Sequence, residues 1–298
     1  MKQCVFQGVG TALITPFRED GVDLEAFRKL IRFQLDNGVR ALIVAGTTGE
    51  GSVLTEGEFE KVVSCAVEEA GGKAPVIAGT GSNDTARAIV KTRKACALGA
   101  DAVLLVTPYY NKTTQRGLAA SFRAIADASD VPCILYNVPA RTGLNMLPET
   151  LAALADHPRI VAVKEASGNL SQVARIRQLC GEDIAVYSGC DDQTVPVLSL
   201  GGLGVISVAA NVLPREMSEI CRCWFAGETA RAGEIQVLMQ AMLDQIMIET
   251  NPIPVKAAAA AQGLCRNLLR LPLVPMEEKN EEKLLRLIGE VRKACGLS

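Results

Sequence analysis

Lys164 closes the apolar run 160–163 in the stretch RIVAVKEASGN. A lysine at the end of a strand commonly marks its solvated edge. The alternative is chemical. In an apolar pocket the charged form of an ammonium is disfavoured, so its pKa falls and free amine becomes available. A free amine attacks a ketone or aldehyde and forms a Schiff base. Forming and collapsing the intermediate needs a proton donor, which a neutral phenol can be. Three of the four tyrosines, Tyr109, Tyr110 and Tyr136, fall at the ends of nearby apolar runs, in TPYYN and LYNVPART. Thr47 and Thr48, in GTTGE, add hydroxyls at the end of another. Arg141, just past YNVP, could grip a carboxylate bidentately. Glu165, next to the lysine, would point to the other strand face and take a hydrogen bond or ion pair there.

Those residues need a scaffold that brings strand ends together. Eight short apolar runs recur, each ending in small or polar residues: GVGTALITPF, ALIVAGTTGE, APVIAGTGSND, DAVLLVTPYYN, PCILYNVPART, IVAVKEASGN, IAVYSGCDD and GVISVAANVLP. Continuous apolar runs, rather than alternation, indicate strands buried on both faces of a parallel sheet. Helical patterns lie between them. Residues 23–38 place Leu24, Phe27, Leu30, Ile31 and Leu35 on one face and stop at Gly38. Thr55 and Glu58 have capping-box spacing. Strand alternating with helix eight times predicts an α/β fold, a (β/α)8 TIM barrel over residues 1–226. An open doubly wound sheet is the runner-up. From 227 to 298 the patterns are helical without strands, which predicts a C-terminal helical appendage. In such barrels the active site lies at the C-terminal strand ends, where Lys164 and the tyrosines fall.

Composition excludes several classes. A net charge of -2 gives no basic surface for nucleic acid or anionic lipid. The uncharged stretch 193–213 is long enough to span a membrane, but Pro196, Gly201, Gly202, Gly204 and Asn211 interrupt it. It reads as a buried helix, a glycine turn and a buried strand. The N-terminus does not read as a signal peptide. The ten cysteines contain no Cys-x-x-Cys pair and read as small core residues of a cytoplasmic protein. The only histidine, His157, precedes the sixth run and so falls on the opposite end of the barrel. That argues against a histidine-based triad or a multi-histidine metal site. GTTGEGS lacks the Gly-Lys-Ser/Thr ending of a P-loop.

Four motifs in fixed order, GTTGE, PYYNK, YNVPARTG and VKEASGN, resemble those of the dihydrodipicolinate synthases, within the wider N-acetylneuraminate lyase group of Schiff-base aldolases. GVISVAANVLP and NPIPVK are similar as well, and the resemblance runs from about residue 5 to the C-terminus. It implies pyruvate as first substrate. Arg141 in PART implies L-aspartate 4-semialdehyde as the second, since sialic-acid and sugar-acid aldolases characteristically lack that arginine. It implies Lys164 as the imine-forming residue and Tyr136 as proton carrier. It implies Thr48 as the link from Tyr136 to Tyr110, and Thr47 with Thr48 on the pyruvate carboxylate. Gly189 and Ile206 would line the pocket through backbone groups. No metal or organic cofactor is implied. A homo-oligomer is implied, a dimer of dimers, with Tyr110 reaching into the neighbouring subunit's site. Tyr109 and Asn83 match the family's lysine feedback site. Gly51, Glu56, Phe59 and Arg87 depart from it, which implies weak or absent inhibition by lysine. The alternatives are another pyruvate aldolase of the group, or a barrel that binds a keto acid without catalysis.

Overall fold

A computed structural model describes residues 4–296, so the expected outer bounds, residues 1 and 298, lie outside the described range. Eight strands form the centre: β1 (Gly8–Ala12), β2 (Ala41–Val44), β3 (Val76–Gly79), β4 (Ala102–Val106), β5 (Cys133–Asn137), β6 (Ile160–Glu165), β7 (Ala185–Ser188) and β8 (Gly204–Ser207). Each pairs in parallel with the next, and β1 pairs with both β2 and β8. The sheet is therefore a closed barrel, and the open doubly wound alternative fails. Its residues are buried almost throughout, as continuous apolar runs require. Phe6, Ile43, Ile77, Leu104, Ile134, Tyr187 and Ile206 fill the interior. Phe6 and Tyr187 stack at 4.2 Å, and the Tyr187 hydroxyl donates to the Phe6 carbonyl at 2.7 Å.

One helix follows each strand outside the barrel: α1 (Leu24–Asp36), α2 (Glu56–Ala70), α3 (Thr85–Ala97), α4 (Gln115–Asp127), α5 (Pro148–Ala152), α6 (Leu170–Cys180), α7 (Thr194–Ser199) and α8 (Pro214–Phe225). The capping box at α2 forms both ways. Glu58 N–H donates to Thr55 Oγ1, and Thr55 N–H donates to the Glu58 carboxylate. The uncharged stretch resolves into α7, a glycine turn and β8, as its interruptions predict. Among the described residues no helix is long and apolar enough to cross a membrane. A two-stranded hairpin, Phe17–Arg18 with Gly21–Val22, was not foreseen, since two residues carry no periodicity.

Three further helices follow without strands: α9 (Thr229–Gln245), α10 (Ile253–Ala261) and α11 (Glu278–Cys295). Ile235, Met239, Leu284 and Ile288 of this segment belong to the same apolar cluster as the layer between strands and helices. One continuous core spans barrel and appendage.

Residues 253–259 of α10 are all buried, including Lys256, which is 0% exposed. Its ammonium is ion-paired with Glu50, donates to the Leu268 carbonyl at 2.8 Å, and stands 4.3 Å from the Phe17 ring centre. The second Glu50 oxygen accepts the Arg270 N–H at 3.0 Å. A buried charge is tolerated only when paired and hydrogen-bonded. This pair therefore pins the loop after β2 to the appendage. Lys256→Met should lower unfolding free energy by about 3–5 kcal/mol, because it leaves the Glu50 carboxylate uncompensated. Urea denaturation measures this, and adding Glu50→Gln should recover most of the loss.

Candidate active site

The parallel register between β5 and β6 sets the site. Tyr136 lies opposite Lys164, and Asn137 opposite Glu165. Successive strand residues face opposite sides. Tyr136 and Lys164 therefore share the barrel interior, while Asn137 and Glu165 share the helix side. The Lys164 ammonium position is 4.4 Å from the Tyr136 ring centre, and both residues are buried. Glu165 accepts from Asn137 Nδ2 at 3.0 Å, Gln172 Nε2 at 3.1 Å and Ser167 N–H at 2.7 Å. The carboxylate adjacent in sequence is thus spent on hydrogen bonds behind the strand, as its alternation implied.

Lys164 forms no ion pair among the described residues. Burial pushes its pKa down to about 8, and Arg141 adds to this, while Asp191 and Cys190 oppose it. Burial pushes the Tyr136 phenol up to about 12, so it keeps its proton where the amine loses its own. Asp191 was not foreseen. It follows β7 and is buried, its Oδ2 accepting the N–H groups of Val208 and Ala209 at 3.0 Å each. Burial raises its carboxyl against the pull of Ser207, these amides and Lys164. Cys190, also unforeseen here, is half-buried nearby, and burial holds its thiol up at about 12. It is a poor nucleophile in that form.

Gly189 has a steric reason. A Cβ there would stand 2.6 Å from the Ala166 methyl and 3.1 Å from Lys164 Cε. Ile206 is fully buried on β8. Thr47, Tyr136 and Arg141 line one cavity of about 980 Å³. Thr48 is nearly enclosed, and its Oγ1 accepts from Asn251 Nδ2 at 2.9 Å. Thr47 is exposed and lines the cavity with Tyr136 and Arg141. Arg141 sits in a one-turn helix, Pro139–Thr142, rather than a free loop, and its Nη2 donates to the Asn251 carbonyl at 3.2 Å. Tyr110 is 91% exposed with φ +68°, so its phenol stands outside its own chain's cavity. His157 lies at the N-terminal end of β6, where its Nδ1 accepts the Arg159 N–H at 3.2 Å and Nε2 meets Asp127 Oδ1 at 3.1 Å.

The same cavity extends over α2 and α3, where Gly51, Glu56, Phe59, Arg87 and Tyr109 line it. Arg87 faces Asp84 at 3.5 Å, and Lys91 stands 4.5 Å over the Phe59 ring. A Cβ at Gly51 would run into the Ala45 carbonyl, so this backbone path admits no serine there without shifting.

An amine poised to be neutral, a protonated phenol against it and an arginine at the mouth form a site for carbonyl chemistry on a carboxylate-bearing substrate. Comparison with known proteins agrees in kind. The profile of the Dihydrodipicolinate synthetase family matches residues 5–291. A 4-hydroxy-tetrahydrodipicolinate synthase of Alkaliphilus oremlandii is 52% identical over 281 residues, covering 94% of this chain and 97% of that one. One from Clostridium perfringens is 50% identical over 293 residues, 98% and 99% of the two chains. The crystal structure of a dihydrodipicolinate synthase from Thermotoga maritima superposes with a TM-score of 0.94 at 45% identity, covering 99% and 100%. Match along nearly the whole length, over a barrel with this strand-end chemistry, means that the chain belongs to the dihydrodipicolinate synthetase family.

Proposed function

We propose that this chain condenses pyruvate with L-aspartate 4-semialdehyde to 4-hydroxy-tetrahydrodipicolinate, a step towards diaminopimelate and lysine. The observation that carries the reading is the Lys164 amine. It is buried, has no carboxylate paired with it, and lies against the Tyr136 ring.

The Lys164 amine adds to the pyruvate ketone carbon. The carbinolamine hydroxyl takes a proton and departs as water, and the nitrogen lone pair forms the C=N bond of an iminium on Lys164. Tyr136, neutral at working pH, supplies that proton. Loss of a proton from the methyl carbon yields the enamine. Its carbon attacks the aldehyde, and the new alkoxide is protonated. The amine of the second substrate then attacks the iminium carbon, closes the ring and releases Lys164. Thr47 and Thr48 hold the pyruvate carboxylate. Arg141 takes the carboxylate of the semialdehyde. Where the resemblance implies Thr48 as the hydroxyl between Tyr136 and Tyr110, the exposure of Thr47 to the cavity favours Thr47 for that relay. We further propose a cytoplasmic homo-oligomer in which Tyr110 completes a neighbour's site. Its exposure supports this, because an outward phenol cannot serve its own cavity. The chemistry as written uses no cofactor.

Trapping with pyruvate and cyanoborohydride should place a pyruvyl adduct on Lys164. Its rate should rise with pH as free amine replaces ammonium, with a midpoint near 8 and not near the ordinary lysine value. A flat profile, or labelling at another lysine, overturns the assignment. Arg141→Ala should raise the semialdehyde KM and cut kcat/KM by about 100-fold, the loss of a charge-assisted contact, while leaving the pyruvate adduct intact. L-Lysine should inhibit weakly or not at all, since Arg87 would repel its amino group. Inhibition at micromolar lysine in a steady-state assay refutes this.

A further inference from the structure

Asn251 lies between α9 and α10, outside the barrel in sequence, yet it is 5% exposed and touches both proposed carboxylate sites. Its side-chain Nδ2 donates to Thr48 Oγ1 at 2.9 Å. Its main-chain carbonyl accepts from Arg141 Nη2 at 3.2 Å. These contacts join points 203 and 110 residues away in sequence.

The polarity of the first contact matters. A threonine hydroxyl has one proton to give and two lone pairs to offer. The Asn251 N–H occupies a lone pair, so the Thr48 proton must point elsewhere. Among the hydrogen bonds of the described residues, no acceptor takes it. With the amide in this orientation, which leaves Asn251 Oδ1 buried without a partner, Thr48 is a hydroxyl held as a donor with nothing to donate to. A carboxylate accepts hydrogen bonds and donates none, so it is the ligand chemistry that this arrangement fits.

We propose that Asn251 is a positioning residue for the first substrate. It fixes the Thr48 hydroxyl as a donor to the pyruvate carboxylate, and through its carbonyl it ties Arg141 to the same point. The inference rests on the function proposed above. Asn251 touches no reacting atom and acts through Thr48.

Asn251→Ala and Asn251→Asp separate positioning from simple packing. Alanine frees Thr48 to rotate, and the pyruvate KM should rise about tenfold with kcat within threefold of the parent. Aspartate is nearly isosteric, but its carboxylate can only accept. It captures the Thr48 proton and sets a negative charge beside the substrate's own, so the pyruvate KM should rise about 100-fold. The semialdehyde KM should change by less than about threefold in both variants, because the carbonyl that holds Arg141 is retained. In a Thr48→Val background, Asn251→Ala should have no further effect on the pyruvate KM. If the amide were turned the other way, Oδ1 would accept from Thr48 and aspartate would be tolerated. A pyruvate KM within twofold of the parent in Asn251→Asp therefore overturns the proposal. So does an equal effect of Asn251→Ala with and without Thr48, or a fall in kcat with KM unchanged. Should Asn251→Asp fail to fold, the alanine cycle with Thr48 decides alone. Failure of the function reading is seen separately, as absence of a pyruvyl adduct on the parent chain.

Discussion

Taking an ammonium group out of water is costly, and this fold does so twice for opposite ends. Lys256 is enclosed with a carboxylate against it, a carbonyl beside it and an aromatic face below, so its charge is satisfied and inert. Lys164 is enclosed with a phenol ring and without a paired carboxylate, so the cost falls on its protonation instead. The same side chain is structural in one place and, in the proposed reaction, chemical in the other. What separates them is whether a carboxylate is paired directly with the ammonium. The barrel helps by turning Glu165, the nearest carboxylate in sequence, to the far side of the strand and occupying it with Asn137, Gln172 and Ser167.

Register then does the rest. Because β5 and β6 run parallel with Tyr136 level with Lys164, amine and phenol meet without either belonging to a flexible loop. Neighbouring ends contribute what a carboxylate substrate needs. The loop after β2 brings threonines, a short helix after β5 brings Arg141, and the segment before α10 ties the two together through Asn251. Asp191, from the β7 side, opposes the fall in the Lys164 pKa that burial causes. Rigid strand ends place the chemistry, and the loops between them place the ligand.

Much of this was legible in the sequence, for identifiable reasons. Uninterrupted apolar runs gave away strands buried on both faces, and their number closed the barrel. Strand alternation separated Lys164 from Glu165. The capping box at Thr55 and Glu58 marked a helix start to the residue. Other features were hidden because they depend on distant chain returning to the strand ends. Lys256 sits in an apolar run just as Lys164 does, yet nothing local in NPIPVKAAAAA marks it as half of a buried ion pair, since its counter-ion is 206 residues away. Asn251 could not be tied to Thr48 from spacing. Asp191 was in view within SGCDD, but nothing local distinguishes an enclosed carboxylate from a solvated one.

The pin between Glu50 and Lys256 has a consequence for the order of events during synthesis. Every group assigned to the chemistry is present once the ribosome has passed Ile206, and the barrel's strands are complete by Ser207. The loop that carries Thr47 and Thr48 nevertheless has its Glu50 carboxylate without a cation until Lys256 emerges, and without the Arg270 main-chain N–H until later still. A nascent or prematurely ended chain would hold a full set of reactive side chains around a loop it cannot settle. Settling of the strand-end loop therefore waits on a stretch of chain made well after the last reactive side chain.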